Sequence, residues 1–276
     1  MKKLLIFLFS SFFYSCSSFF YFPSADFFAD PKNSNLSYED VDFKSLDGTD
    51  LHGWFMFDKA QPKEKKGLII FFHGNAQNLT SHWLNLGWIL REGYDVFIFD
   101  YRGYGLSKGS ANQQGLNKDS LAALDWAHKR AKSYPKFIVY GQSLGGVVSL
   151  RALQDFPHRA DINLLVLDST FTSYQGIAFD KLLHAGILIP FSPLAYVLVS
   201  DEYAATDFVS KIKIPTLVIH GDKDPVVPYK FGEEIFEKLT SKKKWWWSIK
   251  DGSHTDVFYP HHEKYRMRFL ELLQDL

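Results

Sequence analysis

Gly141-Gln142-Ser143-Leu144-Gly145 is the stretch of this 276-residue sequence that decides the fold. It follows a short apolar run at residues 137–140 and precedes a helix-like run at residues 147–156. A serine on a sharp strand-to-helix turn needs small residues two positions on either side, because the backbone there passes close to its neighbours. Gly141 and Gly145 meet this requirement, so the stretch predicts a nucleophile elbow with Ser143 at its tip.

Short apolar runs of strand-like composition recur on both sides of this motif. They lie at residues 68–72, 95–99, 136–140, 164–167, 216–219 and 245–249, and helical candidates such as 79–92, 114–133 and 231–239 separate them. Buried-type strands that alternate with helices predict an α/β fold, with a mostly parallel central sheet and helices on both faces.

An antiparallel hairpin is expected at the N-terminal edge of this sheet. Residues 38–46 alternate in character, Asp47-Gly48-Thr49 supplies turn residues, and residues 51–57 are apolar and aromatic. The catalytic domain is therefore predicted to span residues 38–276 as a single unit. A chain with 46% hydrophobic residues can fill the core of such a domain.

Charge and cysteine content exclude several classes of protein. The 31 basic residues balance the 31 acidic ones, so no electrostatic field attracts a nucleic acid, and we expect no nucleic-acid partner. Cys16 is the only cysteine, which rules out a disulfide within the chain and a zinc site built from thiolates. We expect neither a metal nor a cofactor.

Residues 1–25 differ from the rest of the chain. Lys2 and Lys3 are followed by an uncharged stretch at residues 4–25 in which Phe, Leu, Ile and Tyr dominate, which is typical of an export signal or membrane anchor. Cys16, directly after Ser15, resembles the lipidated cysteine of a bacterial lipoprotein signal. The alternatives are an uncleaved anchor, since residues 4–22 are just long enough to span a bilayer, and a chance cysteine in an ordinary signal. Each places the domain outside the cytoplasm, at or near a membrane.

Chemically active side chains follow the predicted strands where the strands end. The exits are His73-Gly74-Asn75-Ala76, Asp100-Tyr101-Arg102-Gly103-Tyr104-Gly105, the serine elbow, His220-Gly221-Asp222-Lys223-Asp224 and Asp251-Gly252-Ser253-His254. The carboxyl ends of parallel strands meet at one edge of a sheet, where α/β proteins place their sites. Serine, acid and histidine also occur in the order Ser, Asp, His along the chain.

Together these motifs resemble those of the α/β-hydrolase superfamily, and specifically its small-lid, membrane-anchored serine hydrolases. The resemblance covers about residues 38–276. It implies that Ser143 is the nucleophile, His254 the base and Asp224 the acid, with Asp222 and Asp168 as alternative carboxylates. It also implies that the backbone amides of Leu144 and Asn75 form the oxyanion hole. His261 and His262 are less suited to catalysis than His254, because they lie where the last helix is predicted to begin.

The connection between the strands predicted at 164–167 and 216–219 is longer than a crossover helix needs. We expect residues 169–214 to form a small inserted lid. Its middle is apolar, which suits an acyl-binding pocket, a bilayer surface, or two short helices that cover the core.

The expected activity is that of a serine hydrolase whose small-molecule substrate is an acyl ester or thioester. The alternatives are a serine peptidase or amidase with the same triad and a non-catalytic binding protein of the same fold.

Overall fold

The computed structural model describes residues 21–60 and 65–276. Cys16 and most of the predicted signal or anchor segment lie outside these residues. No helix within the described ranges has the length and apolar composition to cross a membrane.

A central sheet of eight strands organises the domain. The strands are β1 (Ser37–Lys44), β2 (Asp50–Phe57), β3 (Gly67–Phe72), β4 (Tyr94–Phe99), β5 (Phe137–Gln142), β6 (Leu164–Asp168), β7 (Thr216–Gly221) and β8 (Lys244–Ile249). Their order across the sheet is β1-β2-β4-β3-β5-β6-β7-β8. β1 and β2 form the predicted antiparallel hairpin, β2 is antiparallel to β4, and all other neighbouring pairs are parallel. The predicted α/β fold with a mostly parallel sheet is confirmed.

Helices cover both faces of the sheet, as the sequence predicts. They are α1 (Leu79–His82), α2 (Gln113–Ala131), α3 (Leu144–Asp155), α4 (Tyr174–Leu183), α5 (Ala195–Leu198), α6 (Lys230–Lys238) and α7 (Lys264–Gln274). Helices α2, α3 and α6 bury apolar side chains against one face. Helix α7 and the 3₁₀ helix Gly87–Glu92 do so against the other.

The central strands are buried on both sides, which explains their continuous apolar runs. In β3, Leu68, Ile70 and Phe72 belong to one core cluster, whereas Ile69 and Phe71 belong to the other. All five side chains are fully inaccessible to solvent. Because successive side chains of a strand point to opposite faces, a polar residue at any of these positions would have no route to water.

The helix predicted at residues 79–92 is broken. The α-helical part ends at His82, and the 3₁₀ helices Trp83–Asn85 and Gly87–Glu92 follow. Gly87 packs directly on the ring of Trp83, where a β-carbon would lie 2.6 Å from a ring atom. This close approach of the backbone to a buried tryptophan is a tertiary contact that hydrophobic periodicity does not reveal.

Residues 169–214 connect β6 to β7 and contain α4, the 3₁₀ helix Gly186–Leu194, α5 and the 3₁₀ helix Val209–Lys211. Polar contacts hold this connection together. Asp201 accepts hydrogen bonds from the Ser173 hydroxyl and the Gln175 amide, at 2.5 and 2.9 Å. The Gln175 side chain donates to the carbonyls of Tyr196 and Val199, at 3.2 and 2.9 Å. The connection is therefore a folded unit over one end of the sheet.

Candidate active site

Ser143 occupies a strained turn between β5 and α3. Its φ of 52° and ψ of −118° lie in a region that residues with a β-carbon rarely adopt. The chain can make this turn only because Gly145 lacks a side chain: a β-carbon there would lie 1.9 Å from the carbonyl oxygen of Phe72. The Thr170 hydroxyl donates to the Ser143 carbonyl at 2.6 Å, and the Ser143 amide donates to the Asp168 carbonyl at 2.8 Å. These contacts hold the elbow and project the Ser143 hydroxyl from the end of β5.

Three side chains from different strand ends meet at this point. Nε2 of His254, which follows β8, lies 3.0 Å from Oγ of Ser143. Nδ1 of the same ring lies 2.7 Å from Oδ2 of Asp224, which follows β7. The Asp224 side chain is fully buried, whereas the His254 side chain keeps 19% of its surface exposed. The imidazole thus bridges a buried carboxylate and a hydroxyl.

Asp224 is held in the ionised form by its surroundings. Burial disfavours its charge, but hydrogen bonds from His254 and from the backbone N–H groups of Val226 and Val227 outweigh burial, and the pKa of Asp224 lies below its ordinary value. Burial lowers the pKa of the neighbouring His220, whose Nε2 contacts the Val227 carbonyl at 2.8 Å. Because a neutral His220 carries no positive charge, His254 is the ring whose positive charge the ionised Asp224 can stabilise.

The two alternative carboxylates occupy other positions. Asp222 is exposed, and its backbone amide donates to the carbonyl of Ile249. Asp168 is buried at the end of β6, where its carboxylate accepts from the Tyr140 hydroxyl at 2.9 Å and the Ser169 hydroxyl at 3.0 Å. The structure therefore places Asp224 against the His254 ring and gives Asp168 different partners.

The turn that carries His254 is fixed on both sides. Asp256 accepts from the Ser253 amide at 2.9 Å, and the Thr255 amide donates to the Ser169 hydroxyl at 3.2 Å. Ser169 in turn donates to Asp168. Sequence reasoning did not identify Ser169, because an isolated serine after a strand carries no catalytic signal. Ser169 links the carboxylate of Asp168 to the turn that positions the imidazole.

Arg102 is a structural residue of the strand exits. Its guanidinium donates to Asp119 at 2.7 Å and to Asp47 at 3.0 and 3.1 Å, and Asp119 is fully buried. The side chain thereby ties the loop after β4 to α2 and to the β1–β2 turn. The arginine is committed to two carboxylates and is absent from the lining of the cavity beside Ser143.

The residues expected to form the oxyanion hole lie beside the serine. Leu144 is the first residue of α3, and both Leu144 and Asn75 line the same cavity as Ser143. The Asn75 side chain accepts hydrogen bonds from the Phe22 amide at 3.0 Å and the Tyr104 hydroxyl at 2.7 Å. This side chain therefore holds the loop after β3 against two neighbouring segments. Such a structural role is compatible with an oxyanion hole to which Asn75 contributes only its backbone N–H.

A cavity of about 470 Å³ opens beside Ser143. Its wall is mostly apolar and includes Phe22, Leu144, Phe171, Tyr174, Ile177, Ala178, Leu182, Ala195, Leu198, Val199, Val226 and Val227, with Lys181 and Asn75 as polar members. Helices α4 and α5 of the connection at residues 169–214 supply much of this wall. A cavity of this size and composition fits an apolar ligand placed next to the hydroxyl.

The packed part of the chain begins before the predicted domain start at residue 38. Tyr21 is 5% exposed and belongs to the core, and Pro23 forms a bridge with Gln77. Asn78 donates to the Ser24 carbonyl at 2.9 Å. No pattern in the sequence predicts this contact, because these residues continue the uncharged N-terminal stretch. Phe22 of this segment lines the cavity beside Ser143.

Two groups of side chains in the described part of the chain bring three possible metal ligands together. They are His128, His158 and Asp161, and Asp256, His261 and His262. Neither group contributes to the cavity beside Ser143. The chemistry available at the cavity is that of a hydroxyl, an imidazole and a carboxylate.

Known proteins resemble this chain in sequence and in fold. Residues 67–174 match a family described as alpha/beta hydrolase fold. The uncharacterized protein YfhR of Escherichia coli (strain K12) is 33% identical over 261 residues, which cover 93% of this chain and 86% of YfhR. Alpha/beta hydrolase domain-containing protein WAV2 of Arabidopsis thaliana is 31% identical over 261 residues, 88% of this chain and 81% of WAV2. The esterase Pf2001 of Pyrococcus furiosus superimposes with a TM-score of 0.71 at 21% identity, over 92% of this chain and 98% of Pf2001.

The buried carboxyl of Asp168 predicts a pH dependence of stability. Burial raises its pKa to about 6, so the folded protein resists ionisation at pH values where the unfolded chain, with a pKa near 3.8, is already ionised. The contribution of this carboxyl group to the free energy of unfolding therefore falls as the pH rises from 4 to 8. Asp168→Asn removes this contribution, so the stability of the variant relative to the parent should rise by about 2 kcal/mol over that interval.

Urea denaturation of both proteins at several pH values measures this difference. Asp222→Asn is the matched control, because it removes an exposed carboxylate and reports the effect of charge alone. If the free energies of unfolding of Asp168→Asn and the parent differ by the same amount at pH 4 and pH 8, the raised pKa of Asp168 is contradicted.

Proposed function

The chain belongs to the α/β-hydrolase family, and we propose that it is a serine hydrolase that cleaves an acyl ester or thioester. The observation that carries this proposal is the continuous hydrogen-bonded path from Asp224 through His254 to Ser143, which ends at an apolar cavity. A hydroxyl is a poor nucleophile near neutral pH, so a base must remove its proton during attack.

In the first half-reaction, Oγ of Ser143 attacks the carbonyl carbon of the substrate while Nε2 of His254 takes the hydroxyl proton. Asp224 keeps Nδ1 of the ring protonated and stabilises the imidazolium that forms. The resulting oxyanion accepts hydrogen bonds from the backbone N–H groups of Leu144 and Asn75. The bond from the carbon to the leaving oxygen or sulfur then breaks, and His254 gives its proton to the leaving group.

The second half-reaction releases the acyl group. His254 takes a proton from a water molecule, whose oxygen attacks the carbonyl carbon of the acyl-enzyme. The bond to Oγ of Ser143 breaks, Oγ recovers a proton from His254, and a carboxylic acid leaves. Donors that are in place before the oxyanion forms contribute strongly, since the loss of one typically lowers the rate by about 10²- to 10³-fold.

The substrate class follows from the cavity wall. Apolar side chains of α4, α5 and the loop after β7 surround the space next to Ser143, which favours an uncharged acyl chain. We assign residues 169–214 the role of a small lid over this space. We also place the protein among the membrane-anchored serine hydrolases of the family, exported and held at a membrane by its N-terminal segment.

Substitution of the three residues tests the mechanism. Ser143→Ala and His254→Ala should each lower kcat/KM for p-nitrophenyl butyrate by about 10⁴-fold or more, and the double variant should match either single one, because both residues act in one proton-coupled step. Asp224→Asn should also remove most activity, whereas the control Asp222→Asn should retain it. A fluorophosphonate probe should label Ser143 in the native protein and not after heating. Activity that survives in Ser143→Ala, or loss in Asp222→Asn with retention in Asp224→Asn, would contradict the assignment.

A series of p-nitrophenyl esters of increasing acyl length tests the substrate class. Each methylene that enters the cavity should raise kcat/KM by at most about fourfold, the equivalent of about 0.8 kcal/mol, and methylenes that project into water should add nothing. We expect kcat/KM to rise from acetyl to butyryl or hexanoyl and then to level or fall. A continuous rise to palmitoyl would indicate a long acyl tunnel, and a preference for aminoacyl anilides over every ester would indicate a peptidase.

Lipidation at Cys16 is tested by Cys16→Ser in the full-length chain. One acyl chain holds a protein weakly at a membrane, whereas the several chains of a processed lipoprotein hold it stably. The variant should therefore appear in the soluble fraction or accumulate as an unprocessed precursor. Intact mass should show the acyl groups on the parent protein. A mature parent that begins at Met1, with a variant that stays membrane-bound, would favour the uncleaved anchor.

A further inference from the structure

An exposed apolar surface lies on the connection between β6 and β7. We call it the apolar lid face and define it by Ile187, Leu188, Ile189, Phe191, Leu194, Tyr196, Val197 and Leu198, each at least 41% exposed. Ile187 is 89% exposed. Residues 182–200 contain no Asp, Glu, Lys or Arg. Soluble proteins rarely expose a continuous apolar surface of this kind unless it contacts a partner or a membrane.

Specific contacts hold these side chains outward. Ser192 and Ala195 are buried and anchor the segment to the domain. The Gln175 side chain donates to the carbonyls of Tyr196 and Val199, and the rings of Phe179 and Tyr196 pack with their centroids 5.2 Å apart. The apolar lid face is therefore a formed surface of the folded domain.

The apolar lid face continues into the mouth of the cavity. Leu198 belongs to this face and lines the cavity beside Ser143. Phe22 lies on the same cavity and is 62% exposed, and Val226 is 45% exposed. The N-terminal segment, the cavity mouth and the apolar lid face therefore lie on one side of the molecule.

The length of chain before Tyr21 limits how far this side can lie from a membrane. Residues 4–20 carry no charge, and only four residues separate Cys16 from Tyr21, which is buried in the core. Five residue steps of fully extended chain span at most about 18 Å. A lipid on Cys16, or a membrane-spanning segment that ends near residue 20, would keep the rim of the cavity close to the bilayer surface.

We propose that the apolar lid face docks on the lipid bilayer, so that the cavity beside Ser143 opens toward the acyl chains. Apolar side chains of a surface segment enter the boundary between headgroups and acyl chains by about 5–10 Å. The absence of Asp, Glu, Lys and Arg at residues 182–200 means that docking depends on apolar burial. Neutral lipid is therefore sufficient, and docking is insensitive to salt. Two other occupants of this face, residues 1–20 of the same chain and a second copy of the protein, are distinguished by the test.

The test measures contact with lipid and makes no use of catalysis, so it is independent of the proposed hydrolase activity. Ile187→Trp is introduced into the full-length chain, which is reconstituted into phosphatidylcholine vesicles with brominated acyl chains that quench nearby tryptophans. Met267→Trp is the matched control, because Met267 is 60% exposed and lies on α7. Helix α7 packs on the face of the sheet opposite to the one that contacts α4. Val197→Trp is a second reporter on the apolar lid face.

We expect the brominated lipid to quench most of the fluorescence that Ile187→Trp and Val197→Trp add to the parent, at low and high salt alike. Fluorescence added by Met267→Trp should stay unquenched by lipid and open to aqueous acrylamide. The proposal is overturned if the reporters at 187 and 197 behave like the one at 267, or if the full chain does not associate with the vesicles. It is also overturned if both reporters are shielded from lipid and from acrylamide. Cross-linking then tells the two other occupants apart: single chains indicate cover by residues 1–20 of the same chain, and dimers indicate a second copy of the protein.

Discussion

The close approach of α3 to β3 at Gly145 is the constraint on which the site depends. A β-carbon at Gly145 would overlap the carbonyl oxygen of Phe72, so only glycine lets the helix begin this close to the neighbouring strand. That proximity places the start of α3 beside the loop that carries Asn75. Ser143, directly before this helix, adopts a backbone conformation that is unfavourable for a residue with a side chain. Packing of β5 between β3 and β6 holds this strain in place.

Burial of charge is the second organising feature. Asp224 is removed from water, yet it remains ionised because His254 and two backbone N–H groups satisfy its oxygens. Asp168, a short distance along the same sheet edge, has a raised pKa because burial outweighs its hydroxyl and amide partners. The pKa values of two carboxyl groups at adjacent strand ends are thus shifted in opposite directions. Asp224 contacts the His254 ring and can stabilise an imidazolium, whereas Asp168 braces the turn around it through Ser169.

The N-terminal segment and the connection at residues 169–214 are the parts of the chain on which the proposed membrane location rests. Phe22 lines the cavity and the preceding Tyr21 is buried in the core, so whatever holds the residues before Tyr21 also determines which way the cavity points. The connection at residues 169–214 supplies both the cavity wall and an apolar outer surface. Our two proposals assign an acyl chain to the inner side of this segment and lipid to its outer side.

The sequence by itself determined the fold class, the elbow at Ser143 and the order Ser, Asp, His, because these depend on local rules. A sharp turn needs glycines at fixed spacing, and buried parallel strands need continuous apolar runs. It also placed His254 and Asp224 at strand exits. Only the tertiary structure decided which carboxylate contacts the imidazole. Asp222 and Asp224 share one loop, but Asp222 is exposed to solvent and Asp224 is buried against the His254 ring. The break in the helix predicted at 79–92, the link from Asp168 through Ser169 to the His254 turn, and the packing of Tyr21 likewise arise from contacts between residues far apart in the chain. Such contacts leave no periodic pattern, because each depends on the shape and burial of a partner that local sequence does not specify.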